Sequence, residues 1–393
     1  MRNMIMPVAA MLVAGCSGMG ELPGEMGMAN GKGQLPPVGK CLRNAPPPVR
    51  TDEPLPIPAM TEGNHVVKDF KFSDGKTLPE VRMHYRTLGT PRTDASGRTT
   101  NAVLIMHGTG GSGNQFNVPG FAGQLFAKGQ LLDAEKYFII IPDDVGHGGS
   151  TKPSDGLHAK FPNYGYLDMI ELEHRLVFDG LKVNHLRLVM GTSMGGMHTW
   201  LWGETFPGDM DALMPLASLP VQISGRNRVW RKAIIDVIRT DPEWMGGDYT
   251  KQPRSLDIAN EISFFVSSNP AQRYKEAPTL KEADALLAAD VTRRHTTMDA
   301  NDELYAVEAS HDYDPQPGLE KITAPLLAIN TEDDLINPGD LDILDVQIKR
   351  VKNGRAIMIP EGPATRGHGS HTIANLWKVY LGEFLVMTEP AKK

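Results

Sequence analysis

Cysteine is scarce in this sequence: its 393 residues include only two, Cys16 and Cys41. Two cysteines cannot form the disulfide framework that stabilises small secreted domains. Long apolar runs are also missing, because no stretch reaches the roughly 20 apolar residues that cross a bilayer. Basic residues form no stripe and the formal net charge is -7, so nucleic acid is not an expected partner. The remaining composition, 40% hydrophobic and 22% charged, is that of a globular protein.

The N-terminal segment has the pattern of an export signal. Arg2 precedes a short apolar run, and small residues then lead to Cys16. This pattern resembles the lipobox of bacterial lipoproteins, in which the cysteine is acylated and becomes the mature N-terminus. We therefore expect residues 1–16 to be a signal segment and Cys16 to anchor a periplasmic protein to the membrane, with Ser17 favouring the outer membrane. The alternative is a cytoplasmic protein with an unusual N-terminus.

Residues 17–60 differ in composition from the rest of the chain. Glycine and methionine dominate at first, and eight prolines then fall between Pro36 and Pro58. Such a stretch cannot bury a core, and proline keeps it extended. We expect it to be a linker, with Cys41 as an unreactive thiol within it, and we expect residues 61–393 to form the folded domain.

Eight short strand-like runs follow, separated by helix-like segments, and the later runs are continuously apolar. Continuous apolar runs indicate strands buried on both faces of a parallel sheet. Residues 220–320 interrupt the alternation between the sixth and seventh runs and have a mostly helical pattern. We predict an α/β fold with a mostly parallel eight-stranded sheet and a helical cap over the strand ends, where ligands bind in such sheets. The runs are 65–72, 80–88, 102–107, 137–142, 186–190, 212–217, 325–330 and 355–360.

The fifth run leads directly into Gly191-Thr192-Ser193-Met194-Gly195. The pattern G-x-S-x-G between a buried strand and a helix is typical of the nucleophile elbow of the α/β-hydrolase fold. Because the turn is tight, small residues must flank the serine, and its hydroxyl lies at the helix N-terminus, where N–H groups can bind an oxyanion. The motif predicts Ser193 as a catalytic nucleophile; the alternative is a structural glycine-rich turn.

A nucleophilic serine needs a histidine base and an acid that orients it, and in this fold the chain order is serine, acid, histidine. The loop after the seventh run offers Asp333 and Asp334, and the loop after the eighth offers His368 and His371. We favour Asp334, because the acid loop of this fold commonly has an apolar residue two positions and a proline four positions after the acid. Ile336 and Pro338 stand at these positions after Asp334. We favour His368, which directly follows a glycine at about the usual distance before the final helix.

The loop after the third run, residues 107–113, reads H-G-T-G-G-S-G and is expected to supply a second oxyanion donor. It also matches the dinucleotide fingerprint G-x-G-x-x-G. We favour the oxyanion loop, because a poor helix start follows and the next acidic strand end comes about thirty residues later rather than the expected twenty or so.

Two further patterns have simpler interpretations. His368 and His371 are spaced like metal ligands, but no carboxylate–histidine cluster joins them, so we expect no metal and no cofactor. Arg226, Arg228 and Arg231 in the cap would suit an acidic substrate, although a solvated helix face is the favoured interpretation.

These motifs together resemble the homoserine O-acetyltransferase family of α/β-hydrolase-fold proteins. The matching stretches are residues 133–140, 149–154, 191–197 and 241–249, of which the elbow and the cap motif D-P-E-W-M-G-G-D-Y are the most specific. The resemblance implies transfer of an acetyl group from acetyl-CoA through an acyl-serine. It also implies that the backbone N–H groups of Thr109 and Met194 form the oxyanion hole.

The sequence departs from that family at three places near the expected site. The H-G-T-G-G-S-G loop differs from the family's loop, the elbow begins Gly191-Thr192 instead of Gly-Gly, and Gly369 follows His368 where the family has aspartate. With the export signal, these departures favour a serine hydrolase that acts on a small carboxylic ester. The alternative is an O-acyltransferase that uses acetyl-CoA, and a non-catalytic binding protein is the third class. A homodimer is compatible with the sequence.

Overall fold

The structure is a computed structural model that describes residues 34–43 and 52–390. Cys16 and the predicted signal segment lie outside the described residues, so the signal segment, lipidation and periplasmic location stay predictions. Within the described part of the chain, no helix combines the length and the hydropathy needed to span a bilayer.

A single nine-stranded sheet organises the described chain. Its order is β1-β9-β8-β7-β6-β4-β5-β3-β2. The strands β1 to β9 are Cys41–Leu42, Thr61–Lys71, Thr77–Leu88, Ala102–Met106, Phe138–Pro142, Leu188–Thr192, Leu213–Leu216, Leu326–Thr331 and Gly354–Ile359. Strands β2 and β3 pair antiparallel with each other, and β3 pairs antiparallel with β5, whereas the other pairs are parallel. The prediction of a mostly parallel α/β-hydrolase sheet is confirmed.

The central strands are apolar because both faces of the sheet are covered. Along β4, Leu104 packs into one hydrophobic core, while its neighbours Val103 and Ile105 pack into a second core on the opposite face. The alternation follows from the two-residue period of a strand. All five residues of β4 are buried, which explains why this run shows no polar alternation in the sequence.

Ten α-helices, α1 to α10, lie within the described residues, and five of them form the cap between β7 and β8. The helices α1 to α10 are Ala122–Leu125, Tyr166–Arg175, Met194–Thr205, Gly225–Thr240, Ser255–Ser267, Pro270–Glu276, Leu280–His295, Ala300–Glu308, Ile343–Gln347 and Lys378–Met387. The cap helices α4 to α8 fall within the predicted range 220–320. They include a small core of their own, in which Ile234, Ile238, Leu304 and Val307 pack together.

One expectation is corrected at the start of the described chain, and a second, about Cys41, is kept for a different reason. The predicted linker contributes a ninth strand, because Cys41 and Leu42 pair in parallel with Ala356 and Ile357. Arg43 fixes this segment through ion pairs with acidic residues such as Glu332, at 2.9 Å. The nearby prolines do not prevent β1 from pairing with β9. Because β1 is an edge strand, only one of its sides forms hydrogen bonds with a neighbouring strand. Burial raises the pKa of the Cys41 thiol to about 12, so the thiol is unreactive for a different reason than the one expected.

Candidate active site

The serine motif forms the tight turn between β6 and α3. Ser193 has φ 57° and ψ -114°, a strained conformation for a residue with a side chain. The flanking glycines are required by close backbone approaches. A Cβ on Gly191 would lie 2.2 Å from the Gly195 carbonyl oxygen, and one on Gly195 would lie 2.1 Å from the Met106 carbonyl oxygen. The chain therefore holds Ser193 at the N-terminus of α3, as the motif indicated.

The structure brings Ser193, His368 and Asp334 together. The Ser193 hydroxyl lies 2.8 Å from His368 Nε2, and His368 Nδ1 lies 2.7 Å from Asp334 Oδ2. Each residue follows the carboxyl end of a parallel strand, β6, β8 or β9, so three distant parts of the sequence meet at one edge of the sheet. The contacts have the geometry of a nucleophile, its base and the acid that orients the base.

The electrostatics of Asp334 suit this arrangement. Burial by itself would raise the pKa of the carboxyl, but the His368 ring opposes that effect most strongly, and the pKa lies below its ordinary value. Asn337 donates a side-chain hydrogen bond to Asp334 at 3.0 Å, and the Ile336 N–H donates another at 2.8 Å. The carboxylate therefore stays ionised and can stabilise a positive charge on His368.

The two alternative residues have other contacts. Asp333 accepts hydrogen bonds from the Asn269 side chain at 2.6 Å and from the Gly367 N–H at 2.8 Å, so it joins the cap to the histidine loop. His371 lies edge-on to His368, with ring centroids 5.1 Å apart. Burial lowers the pKa of His371 to about 3, so His371 stays neutral beside His368.

The glycine-rich loop lies against the nucleophile. A Cβ on Gly108 would come within 3.4 Å of the Ser193 Cβ, which explains why this position carries glycine. The N–H groups of Thr109 and Met194 make no hydrogen bond to another described residue, so both can donate to an oxyanion. His147 is buried and donates from Nε2 to the Thr109 carbonyl at 2.9 Å, so it helps to hold this loop.

Two residues that hold this loop were missed by sequence reasoning. Gln115 donates to the Thr192 hydroxyl at 2.8 Å and accepts from the Gly108 N–H at 3.1 Å, so it links the loop to the elbow. Asp143 accepts from the Gly113 N–H at 2.7 Å. No local pattern marks Gln115, because its contact with Thr192 spans 77 positions. Asp143 directly follows β5, and that position at a strand end was an available signal.

A second group of ionisable side chains is fully buried behind the elbow helix. Asp144, Glu173 and His198 place ligand atoms within 4.8 Å of one another. Glu173 contacts His198 Nδ1 at 2.8 Å and accepts from the Trp202 indole at 2.6 Å. Burial raises the pKa of Asp144 well above its ordinary value and that of Glu173 to about 7. A protonated Asp144 can therefore donate to Glu173, and we assign the group to the packing behind the elbow.

A cavity of about 280 Å³ joins Ser193 to the cap. Arg231 of α4 lines this cavity and is only 1% exposed, whereas the sequence favoured a solvated position for it. Its Nε donates to Asn227 at 3.1 Å, but Nη1 has no hydrogen-bond partner among the described residues. A signal for its burial was present in the sequence, because Arg231 shares the helical face of Ile234, Ile235 and Ile238, at offsets of three, four and seven.

The chain is similar in sequence to proteins named as acyltransferases. It is 29% identical over 279 residues to a probable acyltransferase of Methanothermobacter thermautotrophicus, covering 71% of this chain and 84% of that one. It is 32% identical over 237 residues to the homoserine O-acetyltransferase of Thermobifida fusca, covering 56% of this chain and 57% of that one.

Solved structures with the same fold include both an acetyltransferase and an esterase. Homoserine O-acetyltransferase from Bacillus anthracis aligns with a TM-score of 0.74 and 22% identity, covering 84% of this chain and 98% of that one. Esterase E22 aligns with a TM-score of 0.71 and 19% identity, covering 84% and 100%. Residues 101–350 match the family described as alpha/beta hydrolase fold. The chain therefore belongs to the alpha/beta hydrolase fold family and is an enzyme of the hydrolase or O-acyltransferase type that resembles the homoserine O-acetyltransferases.

Proposed function

We propose that the protein is an O-acyltransferase that moves a short acyl group through Ser193 to the hydroxyl of a small acceptor carrying a carboxylate, such as homoserine. The observation that carries this proposal is the position of Arg231, which lines the cavity beside Ser193 and whose Nη1 is buried without a hydrogen-bond partner among the described residues. Of the two activities expected from the sequence, the names of the sequence relatives support acyl transfer more than hydrolysis.

In the first half of the reaction, Ser193 attacks the carbonyl carbon of an acyl thioester such as acetyl-CoA. His368 Nε2, 2.8 Å from the hydroxyl, accepts the proton. The N–H groups of Thr109 and Met194 stabilise the oxyanion. The carbon–sulfur bond then breaks, the thiolate takes the proton from His368, and the acyl group remains on Ser193.

In the second half, the acceptor hydroxyl gives its proton to His368 and attacks the acyl carbonyl. The bond to Ser193 breaks, and the protonated His368 returns its proton to the serine oxygen. Asp334, bonded to His368 Nδ1, stabilises the positive ring in both halves. Water could replace the acceptor, so a transferase must hold the acceptor in attack geometry.

The positive charge of Arg231 would suit it to hold the carboxylate of the acceptor. A buried cation without a carboxylate partner is unfavourable, because burial removes the water that would solvate it. A carboxylate ligand would supply the missing hydrogen bonds, and guanidinium–carboxylate pairs are short and directional. An acceptor bound in this way would lie in the same cavity as Ser193.

Hydrolysis of a small carboxylic ester is the second candidate. The residue after His368 is Gly369, which offers no side chain at a position where the acetyltransferase family carries aspartate. The acceptor site therefore differs from the family's site, and water could be the physiological nucleophile. Lipidation of Cys16 would also favour hydrolysis, since a protein outside the cytoplasm does not meet acetyl-CoA.

The test compares the two reactions in one preparation of residues 17–393. Release of CoA from acetyl-CoA is measured with and without homoserine, and hydrolysis of a short-chain acyl ester is measured separately. Ser193→Ala controls for background in both. We expect homoserine to accelerate CoA release and to yield O-acetylhomoserine. If homoserine has no effect while the ester is hydrolysed efficiently, the protein is a hydrolase and the proposal is wrong.

A further inference from the structure

We propose that Glu303 is a specificity residue that binds an ammonium group of the substrate, so that Glu303 and Arg231 together select a zwitterionic amino acid. This inference rests on the proposed function, which identifies the cavity as the acceptor site. The proposed function requires a carboxylate on the acceptor. The inference adds that the acceptor must also carry a positive charge.

Glu303 is placed for contact with a ligand. It lies in the first turn of α8, is 6% exposed, and lines the cavity that contains Ser193 and Arg231. Its carboxylate makes no hydrogen bond or ion pair with another described residue, so its oxygens can bind a ligand in the cavity. Burial raises the pKa of Glu303, and the charges of Arg294 and Arg231 act in the opposite direction.

The other charged groups of the cavity do not form ion pairs with Glu303. Arg294 is already paired with Asp290, at 2.7 Å. Arg231 forms no ion pair with Glu303 or with another described residue. Among the described residues, the cavity therefore contains one unpaired cation, Arg231, and one unpaired anion, Glu303, which form no ion pair with each other. His368 and His371 also line it, and burial keeps His371 neutral.

An α-amino acid carries its carboxylate and its ammonium on one carbon atom. A ligand of this kind could pair with both Arg231 and Glu303 while its side-chain hydroxyl extends towards Ser193. Each buried charge would then gain a charge-assisted hydrogen bond, which is the stronger class of hydrogen bond. A carboxylate ligand without the ammonium would leave Glu303 unpaired and would bring a like charge near it.

The experiment compares homoserine with 4-hydroxybutanoate, the same chain without the ammonium group. We expect the wild type to prefer homoserine by at least tenfold in kcat/KM. Glu303→Gln should reduce that preference by about tenfold to a hundredfold, mainly through the KM for homoserine, because the amide lacks the charge that the ammonium requires. Glu303→Asp should restore part of the preference.

Glu308→Gln is the matched control. Glu308 lies on the same helix as Glu303 but pairs with Arg239 at 2.7 Å and does not line the cavity. We expect Glu308→Gln to leave the preference for homoserine unchanged. Thermal unfolding of both variants shows whether each is folded before the kinetic comparison is made.

Failure of the proposed function can be separated from failure of this inference. If the wild type acylates neither acceptor, the same ratio is measured for hydrolysis of O-acetylhomoserine and of 4-acetoxybutanoate, which carry the same groups. A preference for the ammonium-bearing ester that Glu303→Gln removes would support the inference even then. The inference is overturned if the wild type does not distinguish the paired substrates in either reaction, or if folded Glu303→Gln distinguishes them as the wild type does.

Discussion

Replacing Arg231 by methionine should lower activity and leave the fold as stable as before or more stable. Methionine has a similar length and fills the space without a charge. Activity and stability should change in opposite directions, because Nη1 of Arg231 is buried without a hydrogen-bond partner among the described residues and a bound carboxylate would supply one. A residue retained for binding at a cost to stability is expected to behave in this way.

The size of the stability effect can be worked out from the contacts of Arg231. The substitution removes the hydrogen bond to Asn227 at 3.1 Å and the contact with the Trp230 ring at 4.6 Å. These two losses are each worth about 1 kcal/mol. The substitution also relieves the desolvation of a buried charge, which costs several kcal/mol. We expect the free energy of unfolding to change by between zero and about +2 kcal/mol.

The effect on catalysis should be larger and specific to the acceptor. Loss of charge-assisted hydrogen bonds to a carboxylate, worth about 1.5–3 kcal/mol, lowers kcat/KM for homoserine by roughly tenfold to 150-fold. Homoserinol, which lacks the carboxylate, should be affected less. The assays are steady-state kinetics with both acceptors and thermal unfolding, and Arg239→Met on the exposed end of α4 is the control. A loss of several kcal/mol of stability together with equal losses for both acceptors would show that Arg231 is structural, and would refute the reasoning.

Three further predictions concern the reacting groups and the buried acids. Ser193→Ala should lower kcat by up to about a millionfold, and a fluorophosphonate should label only the wild type. His368→Ala should be as impaired, whereas His371→Ala should retain more activity, because only His368 contacts Ser193; initial rates of the two variants decide this. Burial raises the pKa of Glu173 from 4.5 to about 7, so between these values the folded state holds the extra proton. The free energy of unfolding should therefore fall as pH rises through that window, by up to about 1.4 kcal/mol per pH unit, and denaturant titrations should show a weaker fall in Glu173→Gln.

The parts of the fold that the sequence predicts well are those that local patterns determine. The eight predicted runs coincide with β2 to β9. Central strands such as β4 are recognisable because they are buried and apolar on both faces. The strand β1 was missed for a physical reason: two residues carry no pattern, and their partners Ala356 and Ile357 lie more than 300 positions away. Long-range pairing of this kind cannot be inferred from a proline-rich composition, which suggests an extended linker.

In the candidate site, too, some residues could be placed from the sequence and others could not. The positions of Ser193, Asp334 and His368 follow from the order of strand ends in the fold, and the structure brings these three residues together. Residues that act across the cap could not be placed from the sequence. Asp333 is adjacent to Asp334, yet its contacts with Asn269 and Gly367 depend on where α6 begins and how the histidine loop turns.

The sheet and the cap supply different parts of the proposed chemistry. Ser193 and His368 lie at strand ends and would acylate and deacylate with any nucleophile, including water. Arg231 and Glu303 lie on cap helices α4 and α8, which pack together through the cap's own apolar core. The spacing of these two opposite charges is therefore set by helix packing in the cap and does not depend on the loops that carry the triad. Since both reactions share the acyl-enzyme, the choice between hydrolysis and transfer depends on whether an acceptor occupies the space between the two charges before water reaches the acyl group.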